Sequence, residues 1–170
     1  LAFIGAGLML YDMRWGPWAF SDSAAYIAAA RSLANGQGLG YAAPSGQFLA
    51  LSLHQPFYPL ILSFFLRMGI HPFNTTLALN MVSFAGSIFL MGAGSLYFSR
   101  SWRLGLSVAL LLLTSPAVIA NFDGAMSEPF YIFLTLAFFF ALLVSVNAKK
   151  LWRIPAGYFL WAAALLAGLA

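Results

Sequence analysis

Apolar residues run along this chain in long blocks, and polar residues gather between them. A membrane-crossing helix needs roughly 20 mostly apolar residues. Three complete blocks meet that length, at about 75–97, 104–121 and 129–147. Partial blocks at about 1–11 and 154–170 flank them, so the chain reads as cut inside a span at each end. A further apolar stretch, 56–66, contains Pro56 and Pro59 and stops before Arg67. At about 1.5 Å per residue it covers roughly half the hydrocarbon core. It therefore predicts a juxtamembrane or re-entrant helix rather than a span.

Between the first block and this stretch the pattern changes. Ser21 is placed to cap a helix, and Asp22 then falls in its first turn, where a negative charge is favoured. Ala24 to Ala34 is strong helix-forming sequence, with Tyr26, Ile27, Ala30, Leu33 and Ala34 on one stripe and Arg31, Ser32 and Asn35 off it. Gly36 ends the pattern. The reading is an amphipathic interfacial helix over about 22–35. Residues 41–53 read as a loop with at most a short extended piece. No repeat, low-complexity tract or separate soluble domain is visible. The expected fold is all-α, a polytopic transmembrane helix bundle with a helical external loop over 12–74.

Composition supports this class. Of 170 residues, 62% are hydrophobic and 7% are charged, against about 25% charged in an ordinary soluble domain. Mean hydropathy is +0.88. Disordered chains, soluble enzyme domains and nucleic-acid binders are excluded: eight Lys and Arg residues, widely spread, cannot track a phosphate backbone. There is no cysteine, hence no disulfide and no thiolate metal site.

The charges then set a topology. If 56–66 does not cross, Arg100 and Arg103 share a face with Lys149, Lys150 and Arg153, which the positive-inside rule makes cytoplasmic. Residues 12–74 and 122–128 become extracytoplasmic. All four acids (Asp12, Asp22, Asp123 and Glu128) and both histidines (His54 and His71) then lie outside, near span ends. The expected site is an integral protein of the cell (inner) membrane, with its chemistry on the extracytoplasmic face.

Asp22 could serve as a general base or a divalent-cation ligand; a helix-capping carboxylate is the plainer alternative. Glu128, followed by Pro129, suits the first turn of a helix and could reach a cleft facing Asp22, or could merely complement the dipole with Ser127 as cap. Asp123-Gly124 reads more simply as a turn. His54 could ligate a metal or meet a phosphate, or be a polar tip among headgroups. Arg14, Arg31 and Arg67 break the positive-inside bias and could clamp a lipid phosphate, or make headgroup contacts and ion pairs.

Several stretches in this order carry a resemblance: Phe20-Ser21-Asp22-Ser23-Ala24-Ala25-Tyr26 through Arg31-Ser32-Leu33-Ala34-Asn35-Gly36, His54-Gln55-Pro56-Phe57-Tyr58-Pro59, Ser115-Pro116, and Met126-Ser127-Glu128-Pro129-Phe130. Together they resemble the GT-C superfamily of membrane glycosyltransferases, nearest the bacterial relatives of protein mannosyltransferases and the aminoarabinose lipid A transferases. The resemblance implies an N-terminal portion of such an enzyme, with a polyprenyl-phosphate sugar donor and inverting transfer to an extracytoplasmic acceptor. It implies catalytic or metal-associated roles for Asp22 and for Glu128 or Asp123. A divalent cation held by Asp22 and Glu128 is the implied cofactor. Tyr26, Arg31, His54 and Arg67 are the candidate substrate-binding residues. The family often has paired acids in its first loop, where this chain has Asp22-Ser23, and paired prolines where it has Gln55-Pro56. The alternative class is a multi-span transporter or lipid flippase without covalent chemistry. Such proteins usually place ionisable residues or broken helices near the midplane.

The absence of cysteine makes the topology directly measurable. Single substitutions Ile70→Cys, Ser101→Cys, Gly124→Cys and Lys150→Cys, labelled in intact cells with an impermeant thiol reagent, should give labelling at 70 and 124 and protection at 101 and 150. Protection at 124 with labelling at 101 would overturn the topology.

Overall fold

The structure, a computed structural model, describes residues 1–43, 45–52 and 55–147, together with Trp161 and Ala164. His54, Lys149, Lys150, Arg153 and most of the expected 154–170 span lie outside the described residues. The described chain forms α1 (Ala2–Asp12), a 3-10 turn (Met13–Trp15), α2 (Ser21–Ala34), a hairpin of β1 (Gly40–Ala42) and β2 (Phe48–Ala50), α3 (Phe57–Arg67), α4 (Pro72–Ser99), α5 (Trp102–Thr114), α6 (Pro116–Phe122) and α7 (Glu128–Asn147).

Two of these helices, α4 and α7, are long and apolar enough to cross a membrane. The pair α5 and α6 passes the same test together, but is bent by 63°. The apolar run at 104–121, expected as a span, is broken at this bend. Pro116 has no N–H to donate and its ring disfavours a helical conformation at the residue before it. Ser115 is accordingly extended (φ −77°, ψ 112°), and α6 begins afresh at Pro116.

α4 is the axis of the assembly: α1, α5 and α7 all pack on it. Met9, Phe84, Ile88, Ala109, Leu113 and Phe122 form the main core. Close approach of α4 and α5 depends on two glycines, since a Cβ at Gly105 would stand 2.8 Å from the Gly92 carbonyl oxygen. Small residues at such contacts are how helices pack in lipid. The distribution of polarity agrees. Thr76, Asn80, Ser83 and Ser87 of α4 are buried, while Val82 and Phe89 of the same helix are exposed. That arrangement suits a hydrocarbon surround better than water.

α2 and α3 form a second unit, with Tyr26, Ala30, Tyr58 and Leu62 at its centre. The expected cap is corrected by one residue. Phe20 occupies the N-cap position of α2 and has no side-chain acceptor, so only the return half of a capping box forms, with Ser23 Oγ accepting from the Phe20 N–H at 2.9 Å. At the other end Gly36 adopts φ +75°, and bonds from Gly36 N to Leu33 O and from Gln37 N to Ser32 O close a Schellman motif. Ser32, expected on the polar side, is buried. Residues 41–53, expected as a loop, contain part of the hairpin, in which Tyr41 pairs with Leu49.

One side chain joins α4 to the loop between α6 and α7. Asn80 is fully buried, and its Nδ2 donates to the carbonyl oxygens of Phe122 (2.8 Å) and Gly124 (2.7 Å). Truncation strands two buried carbonyls, each costing about 1–3 kcal/mol. Removing the amide also relieves Asn80 Oδ1, which is buried without a partner among the described residues, so Asn80→Ala should destabilise the protein by about 2–4 kcal/mol, read as a lowered Tm in detergent or nanodiscs.

Candidate functional site

The exit from α1 and the α6–α7 loop are stitched together as two short parallel strands would be. Trp18 N donates to Asp123 O at 2.9 Å, and Ala125 N donates to Trp18 O at 2.8 Å. With the Asn80 bonds, this fixes the starts of α2 and α7 relative to each other. Asp22 in the first turn of α2 and Glu128 at the first residue of α7 then line one cleft of about 370 Å³. Phe20, Asn121 and Met126 supply other walls. Each acid also stands at the positive end of its helix, which favours a carboxylate there.

Behind the cleft lies a hydrogen-bonded cluster from three separate segments. The Tyr26 hydroxyl donates to Gln55 Oε1 at 2.9 Å and lies 2.9 Å from Ser127 Oγ. Ser127 Oγ is 3.1 Å from Gln55 Oε1 and 3.4 Å from Glu128 Oε2. Tyr58 stacks edge-on against Tyr26, at 5.3 Å between centroids, and its hydroxyl is 2.9 Å from Thr76 Oγ1. Burial pushes the Tyr26 hydroxyl pKa up, and the Glu128 and Asp22 carboxylates add to this against the bond to Ser127. Burial likewise pushes Tyr58 up to about 12. Both phenols are therefore neutral donors at physiological pH. Ser21 Oγ donates to Asp22 Oδ1 at 3.1 Å.

The sequence-derived candidates separate in space. Asp22 and Glu128 meet in the cleft, with Tyr26 buried behind them. Asp123 is absent from the cleft lining, and its carboxyl senses Asp12 instead. Arg31 and Arg67 do not reach the cleft. Arg67 donates to Leu33 O at 2.7 Å, capping the far end of α2, about 16 Å along the axis from Asp22. Arg31 is exposed in the last turn of α2. Arg14 similarly donates to Tyr11 O at 2.7 Å at the end of α1. Arg67 and Arg14 reach helix-end carbonyls because a guanidinium near a helix C-terminus meets negative potential, and a carbonyl oxygen that already accepts one backbone bond has a second lone pair to offer. His71 caps α4, with Nδ1 accepting from Phe73 N at 3.3 Å. Gln55, Ser127 and Asn80 were missed as site-building residues. The available signal for Asn80 was an amide inside an otherwise apolar run.

Among the described residues no group of three or more His, Cys, Asp and Glu side chains could hold a metal ion. Asp22 and Glu128 offer two carboxylates. That set fits a Mg²⁺-like cation whose other ligands are waters and substrate phosphate, and it does not fit a resident structural metal. Comparison of the chain with protein-family models, with curated proteins and with solved structures gives no match.

The Asp123 carboxyl has a testable signature. Burial, with the Asp12 carboxylate adding, raises its pKa above the ordinary 3.8. The folded state then binds the proton more tightly than the unfolded state, so this group's contribution to stability falls as pH rises from about 3.8 through the folded pKa. Asp123→Asn should raise Tm at neutral pH relative to the parent, with the difference vanishing at pH 3. A lower Tm at neutral pH would show that the charge is needed instead.

Proposed function

We propose that this chain forms the carboxylate-bearing part of an integral membrane glycosyltransferase that moves a sugar from a polyprenyl-phosphate-linked donor to an extracytoplasmic acceptor. The observation that carries the reading is the convergence of Asp22 and Glu128, far apart in sequence, on one cleft. The resemblance of the surrounding motifs to the GT-C superfamily adds to it. The acids stand at one end of α4, and Arg100 and Arg103 lie beyond its other end, about 30 Å from Asn80 along the axis. This polarity suits an inner-membrane protein with its carboxylates outside.

In this reading Asp22 takes the proton from an acceptor hydroxyl or amine as that atom attacks the anomeric carbon. The bond between that carbon and the phosphate oxygen breaks with inversion, and polyprenyl phosphate leaves with the electron pair. Glu128, held by Ser127, orients the acceptor. A divalent cation bound by the two carboxylates would supply charge neutralisation for the leaving phosphate.

Loss of a positioned base typically costs about 10²–10⁴-fold in rate. Asp22→Asn in the full-length protein should lose activity in that range, measured as transfer of radiolabel from polyprenyl-phosphate sugars in membranes. Glu128→Gln should lose about tenfold or more. Near-parent turnover of Asp22→Asn removes this mechanism.

A second reading has its own observation. A transporter or lipid flippase would use a broken helix and buried polar groups. The 63° break at Ser115-Pro116 and the buried hydroxyls of Ser83 and Ser87, which have no hydrogen-bond partner among the described residues, favour it. Substrate counterflow in proteoliposomes that survives Asp22→Asn would select it.

A further inference from the structure

At the end of α4 opposite the carboxylate cleft, the surface carries two features side by side. One is an apolar groove of about 350 Å³ between α4, the start of α5 and α7, lined by Leu90, Phe98, Leu104, Leu136, Phe140 and others. The second is the turn Arg100-Ser101-Trp102-Arg103, which lies between Ser99 and Leu104, both of them groove residues. Arg100, Trp102 and Arg103 are exposed, and the Arg103 guanidinium lies 5.8 Å from the centre of the Trp102 ring. Arg100 closes α4 in the left-handed conformation, φ 55°. Glycine or asparagine is the usual residue at such a cap, so the chain keeps a cation where the backbone prefers a small residue.

We propose that this end of the protein binds an anionic phospholipid of the bilayer, with its phosphate between Arg100 and Arg103 and an acyl chain in the groove between α4 and α7. Charge complementarity selects this occupant. The two arginines border the groove, and no acidic residue lies in the groove lining or in the adjoining turn. Guanidinium groups pair with phosphate oxygens in bidentate geometry. Basic sites between membrane helices are a known physical route to anionic headgroups. An exposed tryptophan beside the arginines suits the headgroup level. This rests only on the membrane placement of α4 and α7, so it stands or falls separately from the catalytic reading.

The test uses the full chain, delipidated in mild detergent and titrated with phosphatidylglycerol or phosphatidylcholine while bound lipid is counted by native mass spectrometry. The parent should retain phosphatidylglycerol in preference to phosphatidylcholine. Arg100→Asn, which tolerates the left-handed cap, and Arg103→Gln should each lower phosphatidylglycerol retention about fivefold and leave phosphatidylcholine unchanged. The double lysine variant, Arg100→Lys with Arg103→Lys, keeps the charge but loses the bidentate fork, and should retain phosphatidylglycerol less well than the parent and better than the neutral variants. A Cβ at Gly94 would stand 3.7 Å from the Phe140 ring, an ordinary contact, so Gly94→Leu fills the groove and should lower retention of both lipids. Equal retention of the two lipids by the parent overturns the proposal. So does unchanged phosphatidylglycerol binding in folded arginine variants, with folding judged by a parent-like Tm. A quantitative disulfide between Phe98→Cys and Leu160→Cys would also overturn it, because the chain's own segment would then fill the groove.

Discussion

The buried amide of Asn80 is the constraint from which the cleft follows. A polar side chain inside an apolar helix is tolerated when its hydrogen bonds are made inside the protein. Asn80 meets this on its donor side by giving Nδ2 twice to the loop between α6 and α7, while its buried Oδ1 has no partner among the described residues. Two carbonyls buried in the protein are satisfied at the same time. The loop is thereby tied to the central helix, and the bridge through Trp18 ties the entrance of α2 to the same loop. The positions of Asp22 and Glu128 are therefore set by bonds that neither acid makes.

The break at Pro116 belongs to the same design. A straight helix over 104–121 would carry its C-terminal end away along its axis. The 63° bend instead redirects α6, and Phe122 enters the core against Phe84 at 5.1 Å between ring centroids. The residues just before and after that anchor, Asn121 and Met126, become walls of the cleft. Proline supplies the bend locally, and Asn80 fixes where the redirected chain comes to rest.

Different parts of this arrangement were legible in the sequence for different physical reasons. The ends of α2 and α3 follow from local chemistry, Gly36 at one C-terminus and the Pro56–Arg67 limits of the apolar run, and the observed helices lie within a residue or two of the expected bounds. The break in the 104–121 run is not visible in hydropathy, which is blind to backbone geometry, but Pro116 carries its signal. The distance of Arg31 and Arg67 from the cleft was not legible for another reason. Their charge suggested phosphate, but Arg67 reaches a carbonyl of α2 only because α2 and α3 fold back on each other. No linear pattern encodes that contact. The cluster of Tyr26, Gln55 and Ser127 was invisible for the same reason, since each residue comes from a different segment.

The two loop acids show how little sequence distance says about role. Asp123 and Glu128 are neighbours in one short loop, yet the bridge to Trp18 and the start of α7 at Glu128 separate them. Burial, with Asp12 adding, raises the Asp123 pKa above the ordinary carboxyl value. Glu128 is exposed, takes part in a charge-assisted bond with Ser127 and shares its cleft with Asp22. Two carboxylates at the positive ends of helices are well placed to hold a cation. The two acids that share one cleft are therefore drawn from two helices, and Asp123 contributes its backbone carbonyl to the bridge that holds the starts of those helices together.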